Sequence, residues 1–168
     1  ELYSGNDDWP ANNVRVWRRK NPSGPWRPML FDLDGGLGGF HQSYTKNPFP
    51  HATDSSRGWD DYPNGPGSTV VLRRILSHPD LKNRFINRFL VQLATNLSAT
   101  STLRAMDSIL ATIREEIPRD VARWEFDPQE QEIADQTIRS FLQKRPEALQ
   151  KSMKNFFKLD SATVLNLS

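Results

Sequence analysis

The spacing of apolar residues divides the chain into a first part rich in loops and a second part rich in helices. Two short apolar runs, residues 14–17 and 26–31, flank the segment Asn21-Pro-Ser-Gly. Proline and glycine in that segment favour a tight reversal, so the pattern predicts a β-hairpin. From Ser68 onward, apolar residues recur every three or four positions, which is typical of amphipathic helices. The predicted fold is therefore mainly α, with a small N-terminal β-hairpin packed on roughly five or six helices.

The helical part contains several start and stop signals. A short helix is predicted over residues 69–77, Pro79 then opens a second helix, and Ser98 caps a third that ends before Pro118. Residues 119–124 form a short helical piece, and a capping box at residues 127–130 begins the next helix. We expect Pro146 to separate that helix from a last one over residues 149–157, and residues 163–167 to form a strand. The residues expected to face the core are Leu81, Phe85, Ile86, Phe89, Leu90, Leu93, Leu97, Leu103, Met106, Ile109, Leu110, Ile113, Ile133, Thr137, Phe141 and Leu142.

Residues 40–67 show no sustained periodicity and are rich in proline and glycine. The pattern predicts a long loop, which is either a substrate-binding segment or a surface loop held by its aromatic residues. The loop contains His41 and His51. Neither has a histidine or carboxylate partner at metal-ligand spacing, so we interpret both as ordinary loop residues.

Composition excludes several classes of function. The formal net charge is only +2, and basic residues alternate with acidic ones, so a nucleic-acid partner is not indicated. The chain has no cysteine, which excludes disulfides, cysteine-ligated zinc and a cysteine nucleophile. No run approaches the roughly 18 apolar residues that a membrane-spanning helix requires. A single domain of 168 residues is long enough to bury a core.

The candidate chemistry lies at the two ends of the predicted hairpin. Asp7-Asp8 and Asn12-Asn13 precede the first strand, and Asp32-Leu33-Asp34 follows the second. A hairpin brings its ends together, and clustered carboxylate and amide oxygens are the ligands that Mg²⁺ prefers. Asp8 and Asn13 are also spaced like the catalytic Asp and metal-binding Asn of protein kinases, in which a short strand pair leads to a further metal-binding Asp. Asp34-Gly35-Gly36 stands at that third place.

At these motifs the sequence resembles the CotH kinase family, named for a spore-coat protein. The matching positions run along nearly the whole chain: Asp8-Trp9-Pro10, Asn12-Asn13, Trp17-Arg18, Trp26, Leu30, Asp32, Asp34, Gly36, Gly38, residues 83–89, Pro118, Arg123-Trp124 and Arg145-Pro146. The resemblance implies an atypical protein kinase that transfers phosphate from ATP to Ser or Thr. Gly35 departs from the pattern, because many relatives carry a larger, often aromatic residue there.

The resemblance also implies a role for each site residue. Asp8 would be the catalytic base, Asn13 and Asp34 would bind Mg²⁺ or Mn²⁺, and Asp32 would be a possible second carboxylate. No nucleotide-binding residue is assigned. The expected partner is a protein with Ser/Thr-rich segments, and the expected setting is a monomeric bacterial protein that is exported, cell-surface or spore-associated.

The resemblance further implies a domain boundary. Residues 1–158 would form the C-terminal, catalytic and helical part of a kinase domain, resembling the C-terminal lobe of an atypical kinase. No glycine-rich loop followed by a lysine-bearing strand is present, so the N-terminal lobe is expected to be absent from this stretch of chain. This stretch alone is therefore expected to be inactive or weakly active. Residues 159–168 would be a linker or the first strand of a following domain.

Two other functions remain open from the sequence. A metal-dependent glycosyltransferase could use Asp32-Leu33-Asp34, but it would need a Rossmann-like domain of alternating strands and helices, which the pattern does not predict. A kinase-like module without activity could instead bind a protein or polysaccharide. A calcium-binding EF-hand loop is rejected, because its glycine belongs at the sixth position and Gly35 directly follows Asp34.

Overall fold

The computed structural model describes residues 1–20, 22, 24–39, 43–56, 66–125 and 127–159. Two antiparallel strands, β1 (Arg15–Trp17) and β2 (Arg27–Met29), form the hairpin, with Val16 opposite Pro28. The helices in the described residues are α1 (Pro48–Thr53), α2 (Val70–Ser77), α3 (Pro79–Ala94), α4 (Ala99–Ile113), α5 (Ile117–Trp124) and α6 (Pro128–Phe157). The prediction of a mainly helical fold with an N-terminal hairpin is confirmed. Asn21, Ser23, His41 and the predicted strand at 163–167 lie outside the described residues.

The core is centred on Phe49, whose side chain is fully buried. Its ring lies 5.4 Å from that of Phe156 and 6.0 Å from that of Phe89. Aromatic pairs at these separations add to the free energy gained from burying their area. Leu90 and Leu149 complete the contact, so α1, α3 and the end of α6 share one core.

The position of α1 differs from the prediction of an irregular loop over residues 40–67. The side chain of Asn47 accepts a hydrogen bond of 3.1 Å from the Phe49 amide, and Pro48 occupies the first turn. These are ordinary helix-start signals that the surrounding prolines and glycines obscured. The burial of Phe49 in the core stabilises this short helix.

The long helix α6 also differs from the prediction, because it continues through Pro146. Proline lacks the amide hydrogen of a helical residue and normally breaks or kinks a helix. Here Leu142 and Arg145 before Pro146, and Leu149 after it, are all buried. Packing on both sides of the proline therefore outweighs its local cost, and Asp127 caps the start of the helix as predicted, accepting a bond from the Gln129 amide.

The predicted apolar stripes are only partly buried. Along α3, Ile86, Leu90 and Leu93 are buried, as the periodicity indicates. Along α4, Ile109 and Ile113 are exposed, and Ile133 near the start of α6 is 61% exposed, so the prediction of core positions was wrong at these sites. Thr137 is exposed as well. Helical spacing identifies one side of a helix, but it does not show how far along that side a neighbouring element extends.

A single buried arginine connects the end of the fold to its beginning. Arg145 on α6 is fully buried. Its Nε donates to the carbonyl of Tyr3 at 2.8 Å and its Nη2 to that of Leu2 at 3.0 Å. Its Nη1 donates to the carbonyls of Tyr44 and Lys46, at 2.7 and 2.6 Å. Burial lowers the pKa of Arg145 to about 10, which still leaves the side chain protonated at neutral pH.

The hairpin lies outside this core. No residue of either strand is buried, and Trp26 and Leu30 are 60% and 73% exposed. An isolated two-stranded hairpin is marginally stable in water. Its base is held by the polar contacts of the loops on either side, which form the candidate site.

We predict that Arg145→Met lowers the free energy of unfolding by about 3–5 kcal/mol, because the buried carbonyls of Leu2, Tyr3, Tyr44 and Lys46 lose a charged donor. Arg145→Lys should recover only part of the loss, since one ammonium group cannot reach both segments. Urea unfolding followed by circular dichroism measures the change. The matched control is Arg88→Met on an exposed part of α3, and an equal effect of the two Met variants would contradict the assignment.

Candidate active site

Asp8 lies at the centre of the loop before β1. Its Oδ2 accepts hydrogen bonds from the side-chain amides of Asn12, at 3.1 Å, and Asn13, at 2.9 Å. Its Oδ1 is buried and has no hydrogen-bond partner among the described residues. Buried carboxylate oxygens are normally paired. One oxygen of Asp8 is thus fixed by two amides, while the other is buried without a partner among the described residues.

Asn6 joins this loop to the segment after β2. Its Oδ1 accepts a 3.0 Å bond from the Asp8 amide, and its Nδ2 donates to the carbonyl of Asp32 at 3.1 Å. A second link runs from the Leu37 amide to the carbonyl of Ser4, at 2.8 Å. The two ends of the hairpin therefore meet, as the sequence predicts for Asp8 and Asp32.

Asp32 and Asp34 form the second half of the site. The pKa of Asp32 is raised, first by a hydrogen bond with Asp34, next by the negative charge of Asp34, then by desolvation and by the charge of Asp8. Asp32 is exposed, so the shift reflects crowding of carboxylates more than burial. The structure thus brings Asp8 to Asn13 and Asp32 to Asp34, with the charge of Asp8 acting on Asp32.

The turn after Asp34 depends on close backbone contacts. A Cβ on Gly39 would lie 2.4 Å from the carbonyl oxygen of Asp34, and a Cβ on Gly36 would lie 2.8 Å from Cβ of Ser4. The left-handed conformations occur instead at Asp32 and Leu37, and at Gly38, with φ near +94°. A Cβ at Gly36 or at Gly39 would thus collide with neighbouring atoms, so these two glycines permit close approach of the backbone.

The arrangement is suitable for a hard cation, although its carboxylates are not gathered around one point. In the part of the chain that the structure describes, no three His, Cys, Asp or Glu side chains are grouped closely enough to hold a metal ion. An amide ligand is however present, because Asn13 directs its Nδ2 toward Asp8 and leaves its oxygen for another contact. The unpaired Oδ1 of Asp8, the Asn13 oxygen and the Asp32–Asp34 pair have the chemistry that Mg²⁺ or Mn²⁺ requires.

Sequence reasoning missed several residues that support the site. Asn6 and Arg145 position the loops, and Lys46 forms an ion pair with Asp7, directly before Asp8. Burial, and secondarily the charge of Arg145, lower the pKa of Lys46. His51 places its Nε2 2.7 Å from the carbonyl of Trp9, which is consistent with a structural role. Asn6 and Arg145 could have been identified by their position, because they lie within or beside the motifs that carry the resemblance to the CotH kinase family.

A cavity of about 430 Å³ lies on the other side of the glycine turn. Gly38 and Tyr44 line it together with the α6 residues Gln136, Ser140 and Phe141. Its lining contains no charged side chain among the described residues. The cavity therefore has no charged group with which to hold a phosphate or a metal ion.

The family comparison agrees with this geometry. A family model described as CotH kinase protein matches residues 1–149 of the 168 residues. The chain belongs to the CotH kinase family. No curated protein and no solved structure matches it with significant similarity.

Membership in the CotH kinase family confirms the resemblance drawn from the motifs and indicates a kinase-like transferase. Kinases in general use ATP and a divalent metal ion. The family is associated with the spore coat, which fits a bacterial origin. No helix in the described residues is both long and apolar enough to cross a bilayer.

We predict that Asp32→Asn raises the melting temperature at neutral pH in the absence of metal. The pKa of Asp32 is raised in the folded protein, so its ionised form destabilises the fold at pH values above that raised pKa. Below the ordinary value of 3.8, the side chain is protonated in both states and the gain should disappear. Thermal melting of Asp32→Asn and of the unchanged protein across this pH range tests whether the substitution stabilises the fold.

The control for this experiment is Glu147→Gln, which neutralises an exposed carboxylate in the middle of α6. It removes one negative charge without relieving the crowding at the site. If Asp32→Asn were no more stable than Glu147→Gln at neutral pH, the repulsion between Asp32 and its neighbours would not be significant.

Proposed function

We propose that this CotH-family protein catalyses metal-dependent transfer of the γ-phosphoryl group of ATP to Ser or Thr hydroxyls of a protein, with Asp8 as the catalytic base. One observation carries the proposal. Asp8 is held through Oδ2 by two amides, while its buried Oδ1 has no partner among the described residues. A general base needs a fixed orientation and an oxygen that can accept a proton, and substrate entry would have to expose the unpaired Oδ1.

The proposed step is an in-line displacement at phosphorus. The acceptor hydroxyl oxygen forms a bond to the γ-phosphorus, its proton passes to Oδ1 of Asp8, and the bond to the bridging oxygen of ADP breaks. Asn12 and Asn13 keep the carboxylate from rotating, so the proton acceptor stays aligned. Phosphoryl transfer requires mainly such positioning and neutralisation of charge.

The metal ion would be held by the Asn13 side-chain oxygen and by Asp34, with Asp32 as an additional or outer ligand. When bound, Mg²⁺ or Mn²⁺ supplies positive charge against the phosphate oxygens. Asp32 and Asp34 repel each other in the absence of that charge, as the raised pKa of Asp32 indicates. The same crowding favours binding of a divalent cation, because the cation removes the repulsion.

The proposal also includes the domain organisation of the chain, the class of its substrate and its cellular setting. Residues 1–158 would supply the catalytic loops and the helical support of a lobe resembling the C-terminal lobe of a kinase, and 159–168 would lead out of it. In support, α6 ends at Phe157, and the next residue, Lys158, adopts the left-handed conformation of a helix C-cap. The acceptor would be a protein with Ser/Thr-rich segments, and the protein would be a monomer at the bacterial surface or in the spore coat.

A second candidate is a kinase-like module that binds a protein or polysaccharide without transferring phosphate. It is favoured by one observation, the absence of a group of three acidic or histidine metal ligands in the described residues. The glycosyltransferase alternative has less support, since the described strands form one antiparallel pair and not the parallel sheet of a Rossmann-like domain.

We predict that Asp8→Asn and Asp34→Ala each lower phosphoryl transfer about a hundredfold or more, because they remove the base and the main carboxylate ligand. Asp32→Ala should have a smaller effect that added Mn²⁺ partly reverses, as expected of an outer ligand. Transfer of radiolabel from ATP to a Ser/Thr-rich protein measures the rate. Glu147→Gln, with its exposed carboxylate on α6, is the matched control.

Thermal melting of each variant shows that a loss of transfer is not a loss of folding. Near-wild-type transfer by both Asp8→Asn and Asp34→Ala would exclude the catalytic assignment. The module that binds without catalysis would then be the better account.

A further inference from the structure

The hairpin segment, residues 14–31, has an unusual balance of charge. It holds five of the 22 basic residues of the chain and none of its 20 acidic residues. No carboxylate in the described residues forms a salt bridge with any of the five. They are Arg15, Arg18, Arg19, Lys20 and Arg27. The remainder of the chain is therefore net acidic, and the hairpin is a local cationic surface.

Aromatic side chains hold two of these cations in position. The guanidinium of Arg15 lies 4.4 Å from the ring centre of Phe31, and that of Arg18 lies 4.6 Å from the ring of Trp26. A guanidinium stacked on a ring keeps its N–H donors directed outward and loses little freedom when it binds an anion. Carboxylates and phosphates are the anions that match this planar fork.

The backbone of β1 offers a second kind of contact. The described sheet has only two strands, so each strand has an outer edge. Val16 lies opposite Pro28. In an antiparallel pair, the backbone groups of two opposite residues point either toward each other or both outward. Pro28 has no amide hydrogen to give to the ladder, which places this pair among the outward-facing ones. The outer edge of β2 lacks a donor there, whereas Val16 presents its N–H and C=O at the edge of β1.

Charge selects among possible occupants of this edge. A second copy would bring five more cations against the first five. A nucleic acid would stack its bases on Trp26 and Phe31, and one face of each ring is already occupied by a guanidinium, that of Arg18 or Arg15. Its continuous negative charge would also meet Asp8, Asp32 and Asp34 at the base of the hairpin. A peptide can carry acidic residues along the strand and uncharged ones toward the base.

We propose that the outer edge of β1 docks an extended acidic segment of a partner protein, which adds to the hairpin as a third strand. Backbone hydrogen bonds at Val16 would supply affinity, and Arg15 and Arg27 would bind acidic side chains at alternate positions of the segment. Arg27 lies opposite Trp17, and Arg15 lies two residues before Trp17 on the same strand. Because side chains alternate between the two faces of a strand, Arg15 and Arg27 share one face of the hairpin. Docking at this surface does not require phosphoryl transfer.

Fluorescence anisotropy with a labelled peptide in which Glu alternates with Thr tests the proposal. The peptide should bind the protein, with an affinity that falls as salt increases. The double variant Arg15→Glu/Arg27→Glu should weaken binding about tenfold or more, because two attractive contacts become repulsive. The control Arg84→Glu/Arg88→Glu changes the net charge equally on exposed positions of α3 and should leave the affinity within about twofold.

Val16→Pro tests the strand pairing separately, since it removes the outward N–H and retains every cation. It should also weaken peptide binding, while thermal melting confirms that each variant is folded. The proposal is overturned by any of three results. These are no binding of the peptide at low salt, equal losses for the two charge-reversal pairs, or tighter binding of single-stranded DNA than of the peptide.

Discussion

The fold depends on one buried cation, Arg145, which has no carboxylate partner among the described residues. Arg145 places its charge among four backbone carbonyls, from residues 2 and 3 and from residues 44 and 46. Taking a guanidinium out of water costs free energy, which the lowered pKa reflects, and the four charge-assisted hydrogen bonds offset that cost. A hydrophobic side chain of similar size would fill the space, but it would leave those carbonyls unpaired. The loops that hold Asp8 are thus ordered by a residue on the last helix.

Charges of opposite sign are segregated within a short distance along the chain. Asp8, Asp32 and Asp34 flank the hairpin in sequence, while every charged residue of the hairpin segment is basic. The acidic end produces a field that attracts divalent cations, and the basic arm produces one that attracts anionic groups. Asn6 holds the two ends of the hairpin together, because its side chain bonds to the backbone of Asp8 before β1 and of Asp32 after β2.

The sequence predicted the N-terminal hairpin and the mainly helical fold, but it did not predict how the helices pack. The interval between Asp8 and Asn13 matches a kinase motif, and the structure adds that the Asn13 amide donates to the Asp8 carboxylate. The burial of Arg145 could not be read from composition, since an arginine on a helix usually faces solvent. Likewise Pro146 normally ends a helix, and only the packing of Leu142 and Leu149 on either side explains why it does not. Local pattern identifies elements, whereas their extent depends on partners distant in sequence.

The wide separation between Arg145 and its partners affects how the protein is made. Arg145 lies 142 residues after Tyr3, so the loop that carries Asp8 leaves the ribosome long before the arginine that orders it. Until α6 has been synthesised and has packed against α1 and α3, residues 1–8 lack the donor for their carbonyls. A chain terminated before α6 would contain the whole Asp8 motif without the means to hold it in shape.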